Sequence, residues 1–131
     1  MGASVSPFIY YEDPTAAFEW LKEAFGFEEH AVHRADDGTI AHAELRLGSG
    51  IVMPGAPADL GMKSPRQLGG TNQGNYVVVE DPDAHFERAT AAGAEIVKEP
   101  TDRDYGSREY TARDPEGNLW VFGTYDPSNP G

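Results

Sequence analysis

The sequence contains no cysteine, which removes disulfides, thiolate metal sites and cysteine nucleophiles from consideration. It is also poor in positive charge, with 10 Lys and Arg against 22 Asp and Glu and a net charge of -12. Phosphate backbones and anionic lipid are bound by clustered cations that displace counterions, so this balance excludes nucleic acid and membrane surfaces as partners. No apolar run approaches the ~20 residues that a bilayer span requires. The start of the chain lacks a basic and then apolar leader, and a soluble, cytoplasmic protein is expected. No Gly-rich phosphate cradle follows a strand, and Ser49 and Ser107 have no base near them in a recognisable motif. No catalytic residue is assigned.

What is present is a repeat. Phe8 to Gly26 reads FIYYEDPTAAFEWLKEAFG, and Tyr76 to Gly93 reads YVVVEDPDAHFERATAAG. Glu12-Asp13-Pro14 returns as Glu80-Asp81-Pro82 and Phe18-Glu19 as Phe86-Glu87, at an offset of 81 − 13 = 68 residues. Each copy has an apolar strand, a helix capped by Asp and opened by Pro, and a glycine stop. Phe18, Leu21 and Phe25 form one apolar stripe for packing on a sheet. After the first helix, strands are expected over residues 27–35 and 39–47 about an Asp36-Asp37-Gly38 turn, and over Ile51 to Met53. Residues 54–70, rich in Pro, Gly and Ala, read as a linker or flap. The second half repeats the plan, with strands at 75–79, 95–99, 109–113 and 118–125 and a helix over 81–92. Asp114-Pro115-Glu116-Gly117 forms its last turn.

Two βαβββ modules, the HAELRLG segment at His42 to Gly48 and, above all, YGSREYTARDPEGNLWVFGTY at Tyr105 to Tyr125 resemble the vicinal-oxygen-chelate superfamily. That superfamily includes glyoxalases, extradiol dioxygenases and bleomycin-resistance proteins, and the likeness is greatest to the bleomycin-resistance and PhnB-like branch. The resemblance implies an α+β fold in which two tandem modules curl mixed sheets into a cup. The single domain would span residues 1–131, with module one at 4–53, the linker or flap at 54–71, module two at 72–125 and a tail at 126–131.

Sheets covered on one face by a helix must pair or bind something with the other, and a cleft lined by aromatics suits a small molecule. In metal-dependent relatives, ligands lie on the first and last strands of each module. Counting from the Asp-Pro motifs places these positions at Ser6, Gly74 and Val121, and the 68-residue offset adds Met53, or Pro54 if the copies slip by one. None supplies the needed imidazole or carboxylate. If Ser6, Gly74 and Val121 face the cup, alternation brings Phe8, Tyr10, Tyr76 and Leu119 there and sends Trp120 and Phe122 into the core. The ligand-lining set is then Phe8, Tyr10, Met53, Tyr76, Tyr105, Tyr110, Leu119 and Val121. His42 and Glu44 share a strand face, and with His30 and His33 they leave an unorthodox metal site open, whereas His85 reads as a solvent-facing helix residue. Arg108 and Glu109 read as strand-edge polar contacts.

The expected function is metal-independent binding of a small molecule, with an aromatic or cationic compound sequestered and no cofactor. The alternative is a divalent-metal-dependent lyase or dioxygenase of the same superfamily. A homodimer with two cups, each edged by residues 54–70, is the expected assembly.

Overall fold

The computed structural model describes residues 3–56 and 61–130. Residues 57–60, within the expected flap, lie outside the described set. The chain divides into two compact units, Met1–Gly69 and Gly70–Gly131. The first contains β1 (Phe8–Tyr10), α1 (Pro14–Phe25), β2 (Glu28–Arg34), β3 (Ile40–Leu47), β4 (Gly50–Gly55) and α2 (Pro65–Leu68). The second contains β5 (Gly74–Val78), α3 (Pro82–Ala91), β6 (Glu95–Asp102), β7 (Arg108–Arg113) and β8 (Leu119–Gly123).

Each unit has one four-stranded mixed sheet, in the order β1-β4-β3-β2 or β5-β8-β7-β6. In both, the first strand lies parallel to the last and the remaining pairs are antiparallel. The parallel ladders also preserve the repeat's spacing: Phe8 is level with Met53, and Tyr76 with Val121. Met53 and Val121 are therefore equivalent positions with no slip, since 121 − 53 = 68.

The helices form where their caps predict. The Asp13 and Asp81 side chains accept from the Ala16 and Ala84 amides at 3.0 and 3.1 Å, satisfying donors that a helix start leaves unpaired. Gly26 ends α1 with φ at 82°, in the left-handed region that glycine enters without a Cβ penalty. Ala17, Phe18, Leu21, Ala24 and Phe25 of α1 are buried, together with Ile9, Tyr11, Ala43, Leu45 and Val52 from the sheet. In the second unit the core consists of Tyr110, Ala112, Trp120 and Phe122, all fully buried, and Ala89 of α3.

Two described parts of the segment expected to be a linker have regular structure. β4 continues through Gly55, so Pro54 is a strand residue opposite Ile9 and its side chain is fully buried. Proline is tolerated there because the flanking bonds to β1 use the Met53 N–H and the Gly55 carbonyl, bypassing the missing donor. α2 also falls within the segment. Ser64 caps it through the Gln67 amide while the Gln67 side chain accepts from the Ser64 N–H, a reciprocal pair that supports a single helical turn.

Candidate functional site

Strand alternation divides each sheet into a face that packs on its helix and a face that does not. On β1 and just after it, Ile9 and Tyr11 are buried while Phe8 is 61% exposed. The Phe8 and Tyr10 rings stack on the uncovered face with centroids 6.2 Å apart and planes 20° off parallel. Met53, level with Phe8, is half-buried on the same face. The second sheet divides the same way. Trp120 and Phe122 are fully buried, Leu119 and Val121 alternate with them and are half-buried, and Tyr76 is level with Val121.

Of the aromatics expected on these open faces, Tyr110 is a correction. It is opposite Phe122, fully buried, and packed edge-on against Phe86 of α3 with centroids 5.4 Å apart. His85 is a second correction. Instead of facing solvent, its ring lies 4.2 Å from Phe122 and its Nδ1 is 2.5 Å from the Tyr110 hydroxyl. Burial pushes the Tyr110 phenol above its usual range, because ionisation would place a charge among apolar rings. Both misplacements have one cause. Tyr110 occupies the helix-side parity of β7, and His85 is on the α3 turn that covers it.

Sequence reasoning also missed a cluster on the open face of the second sheet. Gly123 is opposite Glu109, and a Cβ on Gly123 would lie 2.6 Å from both Glu109 Cγ and the Tyr76 hydroxyl, and 3.1 Å from Ser107 Oγ. Only glycine admits those side chains. The Tyr76 hydroxyl donates to the Tyr125 carbonyl at 2.8 Å, and the Tyr125 amide donates to Ser107 Oγ at 3.1 Å. Tyr105 donates its hydroxyl to Glu109 Oε1 at 2.8 Å and meets the Tyr125 ring edge-on, with centroids 6.2 Å apart. Burial, ahead of the nearby Glu109 charge, raises the Tyr76 phenol. The hydrogen bond to Glu109 raises the Tyr105 phenol. Arg108 and Glu109 appear in sequence only as neighbouring charges. The glycine that makes room for the cluster gives no signal without the strand register.

The first sheet carries the other three histidines, His30 and His33 on β2 and His42 on β3. His33 pairs with His42 and Ala31 with Glu44, and a register shift between Glu29 and Ala31 falls at His30. His42 Nε2 is 2.9 Å from Glu44 Oε2, His30 Nε2 is 3.9 Å from Glu44 Oε1, and the His33 and His42 rings are 6.1 Å apart. The hydrogen bond from His42 is the main influence holding the Glu44 carboxyl below its ordinary range. Among the described residues, no three His, Asp or Glu side chains are arranged to hold a metal ion. Ser6, Met53, Gly74 and Val121, the positions expected from the resemblance to correspond to metal ligands, offer neither imidazole nor carboxylate, a set that does not fit a divalent ion.

Two sheets, each pairing its first strand in parallel with its last and each carrying exposed aromatics on the face away from its helix, define a duplicated α+β fold. The chain belongs to the Glyoxalase/Bleomycin resistance protein/Dioxygenase superfamily, whose sequence profile matches residues 4–122. It is similar to TioX from Micromonospora sp. ML1, with 40% identity, a TM-score of 0.74, and coverage of 93% of this chain and 98% of that one. The Mycobacterium tuberculosis protein Rv0887c is 35% identical over 124 residues, 92% of this chain and 73% of the relative. TnmS3, an antibiotic binding protein from Streptomyces sp. CB03234, has the same fold, with a TM-score of 0.73 at 18% identity over 93% of this chain and 96% of its own. No helix among the described residues is long and apolar enough to cross a membrane.

Proposed function

We propose that this protein binds a small organic molecule without a metal ion, in the manner of the bleomycin-resistance and PhnB-like branch, and sequesters an aromatic or cationic compound. The observation that carries this reading is the placement of Phe8, Tyr10 and Tyr76 on sheet faces that no helix of their own unit covers, with Tyr105 in the turn between β6 and β7 bonded to Glu109 of the second sheet. Phe8, Tyr76 and Tyr105 are 61%, 37% and 53% exposed. Aromatic rings offer a large, stiff contact area at low entropic cost, which is what a binding face needs and a solvated surface does not. Met53, Leu119 and Val121 supply apolar contact beside them, at or next to positions where a metal enzyme would need charged or imidazole donors. That TnmS3, an antibiotic binding protein, has the same fold supports small-molecule binding. The net charge of -12 favours neutral or cationic ligands. The working protein is a cytoplasmic homodimer.

Metal analysis of the purified protein, combined with thermal-shift screening of aromatic natural products in the presence of a chelator, tests this proposal. A ligand that binds only the folded state raises the melting temperature as its concentration exceeds Kd. Melting shifts that survive chelation, with substoichiometric metal, are the expected result. Stoichiometric Ni, Zn, Fe or Mn would overturn it in favour of a metal-dependent lyase or dioxygenase.

A further inference from the structure

Glu109 lies on the open face of the second sheet, opposite Gly123. It is half-buried, and its hydrogen bond comes from a neutral phenol, Tyr105. Several carboxylates have cationic partners: Arg108 binds Asp83 and Asp102, Lys22 binds Glu19 and Glu29, Arg46 binds Glu28, and Arg113 reaches Glu95. Among the described residues no Lys, Arg or His forms an ion pair with Glu109. Its sequence neighbour Arg108 is engaged by Asp83 at the start of α3. A half-buried carboxylate with no counter-charge of its own is free to pair with a cation from outside the chain.

The surroundings of Glu109 match a cation. Tyr76 and Tyr105 flank the carboxylate, and Tyr125 stands edge-on to Tyr105. A phenol ring presents a negative face that attracts ammonium groups. The chain's own Arg103 guanidinium already rests over the Tyr105 ring, 5.8 Å from its centroid. The Tyr76 hydroxyl is fixed by its bond to the Tyr125 carbonyl, so the phenol is oriented before any ligand arrives. Gly123 leaves the space into which Glu109 and Tyr76 lean together.

We infer that Glu109, Tyr76 and Tyr105 form a subsite for a protonated amine, so that the bound compound is an aromatic molecule carrying an ammonium group. This rests on the small-molecule reading above and adds the ligand's charge and the residue that reads it. Gly123 sets specificity by keeping the carboxylate and the phenol together.

The test uses the full chain and two probes of nearly equal shape, benzylammonium and the neutral benzyl alcohol, followed through backbone amide shifts in NMR titrations. Benzylammonium is expected to move the Ser107, Glu109 and Gly123 amides and to bind about tenfold more tightly than the alcohol, the scale of one desolvated cation–carboxylate or cation–π contact. Glu109→Gln keeps size and hydrogen bonding, so it should retain the folded spectrum while the preference falls below about twofold. Gly123→Ala should weaken the ammonium and leave the Phe8 and Tyr10 shifts untouched. Equal binding of both probes, or an unchanged preference in Glu109→Gln, overturns the amine subsite and leaves the broader reading intact. Failure of both probes to shift any open-face residue overturns both.

Discussion

A single tyrosine shows how one strand position decides between core and site. Tyr76 and Tyr110 are both strand tyrosines in the second unit, yet Tyr76 is 37% exposed and Tyr110 is fully buried. The difference is parity. Tyr110 pairs with the buried Phe122, and Tyr76 with the half-buried Val121. Because burial raises the Tyr110 phenol, the folded state holds it neutral where the unfolded chain would ionise. The stability contributed is fully present below the ordinary tyrosine value of about 10 and is lost as pH rises above it. Urea denaturation from pH 8 upward should therefore show stability falling from about pH 10. In Tyr110→Phe that alkaline slope should flatten, although the variant starts lower for want of the His85 hydrogen bond. An unchanged slope would assign the alkaline loss to other groups.

At the scale of elements, the helices and most strands were legible because their signals are local. The Asp-Pro start and the α1 apolar stripe depend on a few neighbouring residues, and α1 runs Pro14–Phe25 with that stripe buried. The DPEGN turn was legible for the same reason. Asp114 accepts from the Glu116 and Asn118 amides and from the Trp120 indole, so the most recognisable motif in the chain turns out to be a structural clasp. The α2 turn and the extension of β4 were not legible. Their support comes from one reciprocal cap and from pairing with β1, which a composition rich in proline and glycine conceals. The Glu109 cluster was hidden because it joins residues from β5, β7 and β8 through a register that no single stretch encodes. The α1 stripe allows a direct check. Phe18 has no exposed surface, so Phe18→Ala should cost about 3–5 kcal/mol in chemical denaturation, combining lost burial with the cavity left behind. A loss below about 1 kcal/mol would show that the helix does not bury its ring.

For the molecule as a whole, the question is what covers the aromatic faces when no ligand is bound. Phe8 of the first unit and Tyr76, Val78 and Tyr105 of the second are each more than a third exposed, and exposed apolar side chains on a sheet face suit binding or assembly. A second copy related by two-fold symmetry is the commonest arrangement for a soluble oligomer, and it would present the same faces twice. Light scattering at micromolar concentration should then give twice the chain mass of 14.2 kDa. A particle with the mass of one chain would rule the dimer out. Tyr10→Ala separates binding from assembly. Its ring stacks on Phe8 on the open face, so the variant should lose ligand affinity and keep the dimer mass. Dissociation into single chains would instead assign the Phe8 and Tyr10 face to the interface between copies, leaving the Glu109 face of the second unit as the place where a ligand binds.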